Sequence, residues 1–139
     1  MKQAVHLLCI KTRGRGLVEI TAQIRRWAEA QDVANGLLTL FCRHTSASLL
    51  IQENAARAVR SDLEKYFAAI APEDPTRYEH DDEGPDDMPA HLRTALTGVQ
   101  LSIPVSAGRM ALGTWQGIYL FEHRQRPHER EVALHVIGD

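Results

Sequence analysis

Between Val99 and Ile137 the chain repeats with a period of two, and that pattern most narrows what it can fold into. Val99, Leu101, Ile103 and Val105 alternate with Gln100, Ser102 and Pro104; Val132, Leu134 and Val136 alternate with Ala133, His135 and Ile137. Successive side chains on a strand point to opposite faces, so each run predicts a strand with one face on a core. Residues 110–122 read as a longer strand containing Gly113 and Gly117, and 106–109 and 125–130 read as the loops of two hairpins. Pro104 lacks a ladder donor, so its strand is expected to end or to lie at an edge there.

Two further short apolar runs, 4–10 and 36–42, lie near the turn signals Arg13-Gly14-Arg15-Gly16 and Asn35-Gly36 and predict strands. Helices come from the longer period. Residues 21–31 place Ile24, Trp27 and Ala28 on one face. In 54–70, Ala55, Val59, Leu63, Tyr66 and Ile70 fall four, four, three and four apart, with Arg57, Ser61, Glu64 and Lys65 opposite. A third helix is expected to start near Asp87, with Pro89 in its first turn, and to stop at Gly98. Three helices among mixed or antiparallel strands predict an α+β fold, one compact domain over 1–139.

A chain of 139 residues, 44% hydrophobic and 24% charged, can bury one core without disulfides or a structural metal. Its net charge of −2 argues against a protein whose main task is to grip nucleic acid, which would be basic. The first apolar run is interrupted by His6 and is far shorter than a membrane span, and no small-residue cleavage site follows it. A soluble, cytoplasmic protein is expected. Cys9 and Cys42 lack the close spacing of a redox or zinc pair and read as buried free thiols of a reducing compartment.

The charge is unevenly placed. Eight of the eighteen acids lie within 73–87, opposed there by Arg77 alone. Acids this dense repel one another, so either water solvates them or a cation offsets them. His80, Pro85, Pro89 and His91 punctuate the stretch and favour a fixed backbone. His91 falls in the expected first turn of a helix, where the positive dipole end keeps imidazole neutral and able to ligate a metal. His80 and His91 are eleven residues apart, which matches no standard zinc spacing.

Other polar residues stand at strand ends. His44-Thr45-Ser46-Ala47-Ser48 follows an apolar strand, where Thr45 and Ser46 either make a turn or belong to a site. Asp62 lies about 60° from the centre of its helix's apolar stripe, so it needs a salt-bridge partner or a place in a site. Trp115, between Gly113 and Gly117, either stacks a flat ring or fills the core. Glu122 and Arg130 flank the last loop, as site residues or as a cross-strand ion pair.

Taken in order, His44-Thr45-Ser46-Ala47, Glu53-Asn54 with Asp62, His80 with Ala90-His91-Leu92, Leu112-Gly113-Thr114-Trp115-Gln116, and Glu122 through Arg130 resemble the YjbQ-like family, often called secondary thiamine-phosphate synthases. The resemblance runs over residues 5–138. It departs at Met88-Pro89-Ala90, where many members carry an Asn-Ala pair. It implies a homotrimer of α+β subunits and a histidine-lined site that holds a divalent metal, zinc above all. It further implies a weak or secondary ability to make thiamine monophosphate from hydroxymethylpyrimidine diphosphate and thiazole phosphate. His44, His80 and His91 are then the metal residues; Asn54, Asp62, Glu122 and Arg130 the catalytic candidates; Thr45, Ser46, Trp115 and Gln116 the substrate contacts.

The implied chemistry suits these residue types. Loss of pyrophosphate leaves charge on the departing oxygens, which a divalent cation and arginines stabilise. Carboxylates of 81–87 are candidates to hold Mg²⁺ on the diphosphate. The thiazole nitrogen is already nucleophilic, so no activated Ser or Cys is required. Two other readings compete: a metal- or ligand-binding protein without turnover, and a metal-dependent phosphoester hydrolase. The partner in each case is a small phosphorylated molecule. The apolar 118–121 and 132–136 segments also suggest more sheet surface than three helices cover, which self-assembly would bury.

Overall fold

The computed structural model describes residues 1–139 and confirms the α+β class. The elements run β1 (Lys2–Lys11), β2 (Gly16–Glu19), α1 (Thr21–Glu29), β3 (Gly36–Cys42), β4 (Ala47–Glu53), α2 (Arg57–Ile70), α3 (Asp87–Thr97), β5 (Gln100–Ser106), β6 (Arg109–Met110), β7 (Gln116–Glu122) and β8 (Glu129–Gly138). One 3₁₀ turn, Pro75–Arg77, lies in the acidic stretch. Every strand pair is antiparallel. The strands form a five-stranded sheet, ordered β1-β8-β3-β5-β6, and a three-stranded sheet, ordered β2-β7-β4. No helix is long and apolar enough to cross a membrane.

The period-two pattern does what it predicted in β8, where Val132, Leu134 and Val136 are fully buried. Together with Leu38 and Leu40 of β3 and Ile103 of β5 they meet Leu49 of β4 and Ile118 and Leu120 of β7 across the space between the sheets. Ile24 and Ala28 of α1 enter the same core. The opposite face of the small sheet lies under the helices: Phe67 of α2 meets Phe121 edge-on at 5.5 Å, and the Arg60 guanidinium sits 5.2 Å from the Tyr119 ring centre. β7 is therefore buried on both faces, which removes its alternation.

The structure corrects several expectations. Residues 110–122 are not one strand: β6 ends at Met110, and β7 starts only at Gln116, with 111–115 outside any strand. Residues 125–130 do not close a hairpin either, because β7 and β8 belong to different sheets. The apolar side chains of 118–121 and 132–136 that seemed surplus fill the subunit's own core. The uncovered apolar surface lies elsewhere, on the outer face of the large sheet, with Val5 74% exposed and Leu7, Leu37 and Phe41 around it. Along α2 the helix starts three residues later than expected, and Tyr66 and Ile70 are exposed while Phe67 is the buried side chain. β2 and β4 went unrecognised, and of the two thiols expected to be buried Cys42 is buried but Cys9 is exposed. Elsewhere the boundaries agree, including α3 with Pro89 in its first turn and Gly98 at φ 92°, a left-handed stop that suits glycine.

Candidate metal centre

α3 opens inside the acidic stretch with Asp87, and His91, one turn on, lies on the same face. The loop before it folds back so that His80 and Glu83 join them. Ligand atoms of His80, Glu83, Asp87 and His91 all lie within 4.8 Å of one another. Nε2 of His80 is 2.7 Å from Oδ2 of Asp87, and Nε2 of His91 is 3.0 Å from the same oxygen. The two rings lie 5.6 Å apart.

Tautomers follow from the other ring nitrogens. Nδ1–H of His91 donates to the carbonyl of Thr45 at 2.8 Å, since a carbonyl only accepts. Nδ1 of His80 lies 3.3 Å from Oδ1 of Asp82. Each ring thus has an acceptor on its Nδ1 side, the arrangement that orients a metal-ligating histidine and presents the Nε2 lone pair. Without a metal ion, Nε2–H of His80 donates to Oδ2 of Asp87, and that bond raises the His80 pKa; a divalent ion would take the place of the proton and meet the Nε2 lone pair. Donors of two imidazoles and two carboxylates in this spread suit a borderline divalent ion with bonds of about 2.0–2.2 Å.

Arg124 holds the acidic side in shape. Its Nη1 donates to Oδ1 of Asp87 at 2.7 Å, its Nε to Oδ2 of Asp86 at 3.0 Å, and its Nη2 to the carbonyl of Glu83 at 3.0 Å. Burial opposes the charges of Asp86 and Asp87. Hydrogen bonds from Gln125 N–H and Arg124 to Asp86, and from His80 with the charge of Arg124 at Asp87, outweigh it and hold both below the usual carboxylate range. With Oδ1 of Asp87 taken by Arg124, Oδ2 alone faces the histidines.

The other expected residues fall into three groups. His44 lies beside the cluster and not in it: its Nε2 accepts the backbone N–H of Glu131 at 2.7 Å. Burial, then the charge of Arg130, holds it below the ordinary histidine range, so it stays neutral. Glu122, Arg130 and Ser46 form a buried network under the cluster. Glu122 accepts from Arg130 Nε at 2.8 Å and Thr12 Oγ1 at 2.6 Å, and Arg130 Nη2 donates to Ser46 Oγ at 3.0 Å. Thr45 supplies its carbonyl to His91.

Asn54, Trp115 and Gln116 gather at the far end of the small sheet. β4 pairs with β7 from Ala47↔Glu122 to Glu53↔Gln116, so about 20 Å separates them from the metal end within one subunit. Trp115 is 63% exposed and so does not fill the core. Its carbonyl accepts from Asn54 N–H at 2.9 Å, while Gln116 Oε1 accepts from Gly113 N–H at 2.8 Å. Asp62 is exposed on α2 and makes no hydrogen bond or ion pair, which removes the buried-pair account of it.

The sequence groups His123 and Arg124 with Glu122 only as charged groups at a strand end, and Glu83 only among the carboxylates of 81–87; their individual places come from the structure. The four-residue step from Asp87 to His91 and the three-residue step from His80 to Glu83 were available signals. His123 had none. It is fully buried, with Nε2 2.8 Å from Ser48 Oγ and Nδ1 without a partner. Burial, then the charges of Arg93, Arg130 and Arg15, pushes it down to about 3.

Fold and site together define a small α+β protein whose two antiparallel sheets carry a histidine–carboxylate cluster at the start of a helix. The YjbQ-like UPF0047 family model matches residues 6–139, and the chain belongs to that family. It is 51% identical to a UPF0047 protein of Synechocystis over 99% of this chain and 94% of the relative. It is 42% identical to the YjbQ protein of Salmonella typhimurium over 95% of this chain and 96% of that one. The fold matches a YjbQ/UPF0047 family protein of Clostridium acetobutylicum with a TM-score of 0.87 at 29% identity, covering 95% and 99% of the two chains. A Sulfolobus solfataricus protein matches equally well, at TM-score 0.87 and 23% identity, covering 99% and 100%.

Proposed function

We propose that the chain is a cytoplasmic, metal-dependent transferase acting on small phosphorylated molecules, with a divalent ion held by His80, His91, Asp87 and Glu83. The observation that carries this is the convergence of two Nε2 atoms on one carboxylate oxygen, each ring having an acceptor on its Nδ1 side. Zn²⁺ or a similar borderline ion suits that donor set, and Mg²⁺ would accompany a diphosphate. When bound, the ion supplies positive charge to stabilise oxygens of a departing phosphate group.

The reaction in this reading joins hydroxymethylpyrimidine diphosphate to thiazole phosphate, forming the carbon–nitrogen bond of thiamine monophosphate and releasing pyrophosphate. What supports a reaction needing no protein nucleophile is the seclusion of the Ser48–His123 pair, which is fully buried and out of a substrate's reach. Asn54, Trp115 and Gln116 lie too far from the cluster to share its site within one subunit, so on this reading they serve the site of another copy. A homotrimer packed through the outer face of the large sheet would bring copies together, and light scattering giving a monomer mass at micromolar concentration would remove that part.

Incubation with both precursors, Mg²⁺ and stoichiometric Zn²⁺ should yield thiamine monophosphate and pyrophosphate, and a chelator should abolish it. Release of inorganic phosphate from either precursor alone would favour the hydrolase instead. Metal binding with no product from any arm would leave a binding protein.

A further inference from the structure

The connection between β1 and β2 borders a cavity of about 300 Å³, lined by Lys11, Arg13, Gly14, Arg15 and the first residues of β2. None of these belongs to the metal cluster, and no carboxylate lines the space. Both ends of the connection are pinned. Thr12 N–H donates to the carbonyl of His128 at 2.8 Å, and its Oγ1 to Glu122 at 2.6 Å. Arg15 anchors the other end: its Nε donates to the carbonyl of His123 at 3.4 Å and its Nη2 to Glu73. Glycines set the path between these anchors. Gly14 and Gly16 hold φ of 138° and 142°, and a Cβ on Gly14 would stand 2.8 Å from the carbonyl oxygen of Gln125.

Held in this way, the loop leaves charges and donors unanswered. Lys11 and Arg13 are exposed and form no ion pair, not even between Lys11 and Glu129, its register partner in β8. The N–H groups of Arg13, Gly14 and Arg15 donate to no acceptor in the protein. Nothing lies within 4 Å of the place that a Cβ on Gly16 would occupy, so the backbone there is open to close approach. Unpaired cations beside free backbone N–H groups, with no acid among them, are the donor set of an oxyanion site. We propose that this loop is a second ligand site, separate from the metal centre, that takes a phosphate-type anion through Lys11, Arg13 and the N–H groups of residues 13–15. The two side chains supply charge and the backbone supplies direction. The pinned ends leave little to be ordered on binding. Half-buried Leu17 and Val18 on the same wall offer apolar contact to an organic part attached to the phosphate. The assignment depends neither on the metal nor on the proposed reaction.

The probe is inorganic pyrophosphate, titrated into the full chain by calorimetry at low salt with no divalent metal present, so that no ion at the metal centre can capture it. Saturable binding is expected, and Lys11→Gln and Arg13→Gln should each weaken it about tenfold, the effect of losing one hydrogen bond to a charged group. Both positions are exposed, so circular dichroism and the thermal melt should match the parent. Two controls should bind as the parent does: His91→Ala, and the double variant Arg57→Gln/Lys65→Gln, which removes two exposed and unpaired cations of α2. ADP as a second probe separates the sources of the anion: affinity no higher than that of pyrophosphate identifies the free anion, and tighter binding a phosphate ester whose organic part meets Leu17 and Val18. No saturable binding at millimolar pyrophosphate, parental affinity in both loop variants, or an equal loss in either control would overturn the proposal and leave the metal centre untouched.

Discussion

Replacing Glu122 with leucine removes the acceptor on which the buried network under the metal end depends. The carboxylate is fully buried and receives hydrogen bonds from Nε and Nη2 of Arg130, from Thr12 and from the backbone N–H of Arg124. Leucine fills the space but strands Arg130, a residue only 4% exposed. Breaking a buried pair from one side costs about 3–5 kcal/mol. Arg130 keeps its contacts to the Ser46 carbonyl and hydroxyl at 3.3 and 3.0 Å, so the lower half of that range, about 3–4 kcal/mol, is expected. Urea unfolding at neutral pH, followed by circular dichroism, measures it.

The double variant Glu122→Leu/Arg130→Met carries the argument further. An apolar pair of similar volume strands nothing, so the double change should cost less than the sum of the single changes by about 2 kcal/mol or more. Acid adds a second readout. Burial works against the charge of Glu122, but the hydrogen bonds from Arg130, Thr12 and Arg124 outweigh it and leave its pKa lowered. A depressed carboxylate contributes fully above its unfolded pKa of about 4.3 and loses that contribution as pH falls through the folded value. The parent should therefore lose stability on acidification more steeply there than Glu122→Leu. A single-variant cost under about 1 kcal/mol, or strict additivity in the double variant, would refute the reasoning.

Three further outcomes are expected. His80→Ala and His91→Ala should each lower bound zinc sharply, with circular dichroism unchanged, whereas His44→Ala should retain it; full occupancy in both of the first two would dismiss the cluster as a metal centre. His123 is held down to about 3, so between there and about pH 6.5 the unfolded chain binds a proton that the folded one refuses. Stability should fall on acidification through that window by up to about 1.4 kcal/mol per pH unit, and unfolding curves of His123→Leu should lack that slope. Asp62→Asn, at an exposed position, should shift a thermal melt by no more than about 0.5 kcal/mol equivalent; a loss of several kcal/mol would mean that the side chain has a buried partner in the assembled protein.

Periodicity in the sequence determines which segments become strands and helices when one face of the element meets water. β5 and β8 follow it closely, while α3 is marked by its end signals, Pro89 in the first turn and Gly98 at the stop, and its helical turn places Asp87 beneath His91. Composition likewise determines that the chain can form one core and that its acids concentrate around His80. Pairing is another matter. β7 and β8 are neighbours in sequence yet lie in different sheets, and β7 loses its alternation because the large sheet covers one face and α2 the other. The same holds for the site. His44 looked equivalent to His80 and His91 until the backbone N–H of Glu131, far along the chain, occupied its Nε2. Asn54 and Trp115 seemed to belong with the histidines until strand register put them at the other end of β4 and β7. A local pattern records only whether a face is wet or dry; which distant atom dries it, and which nitrogen is left free, is settled when non-local segments pack and every buried donor must find its acceptor.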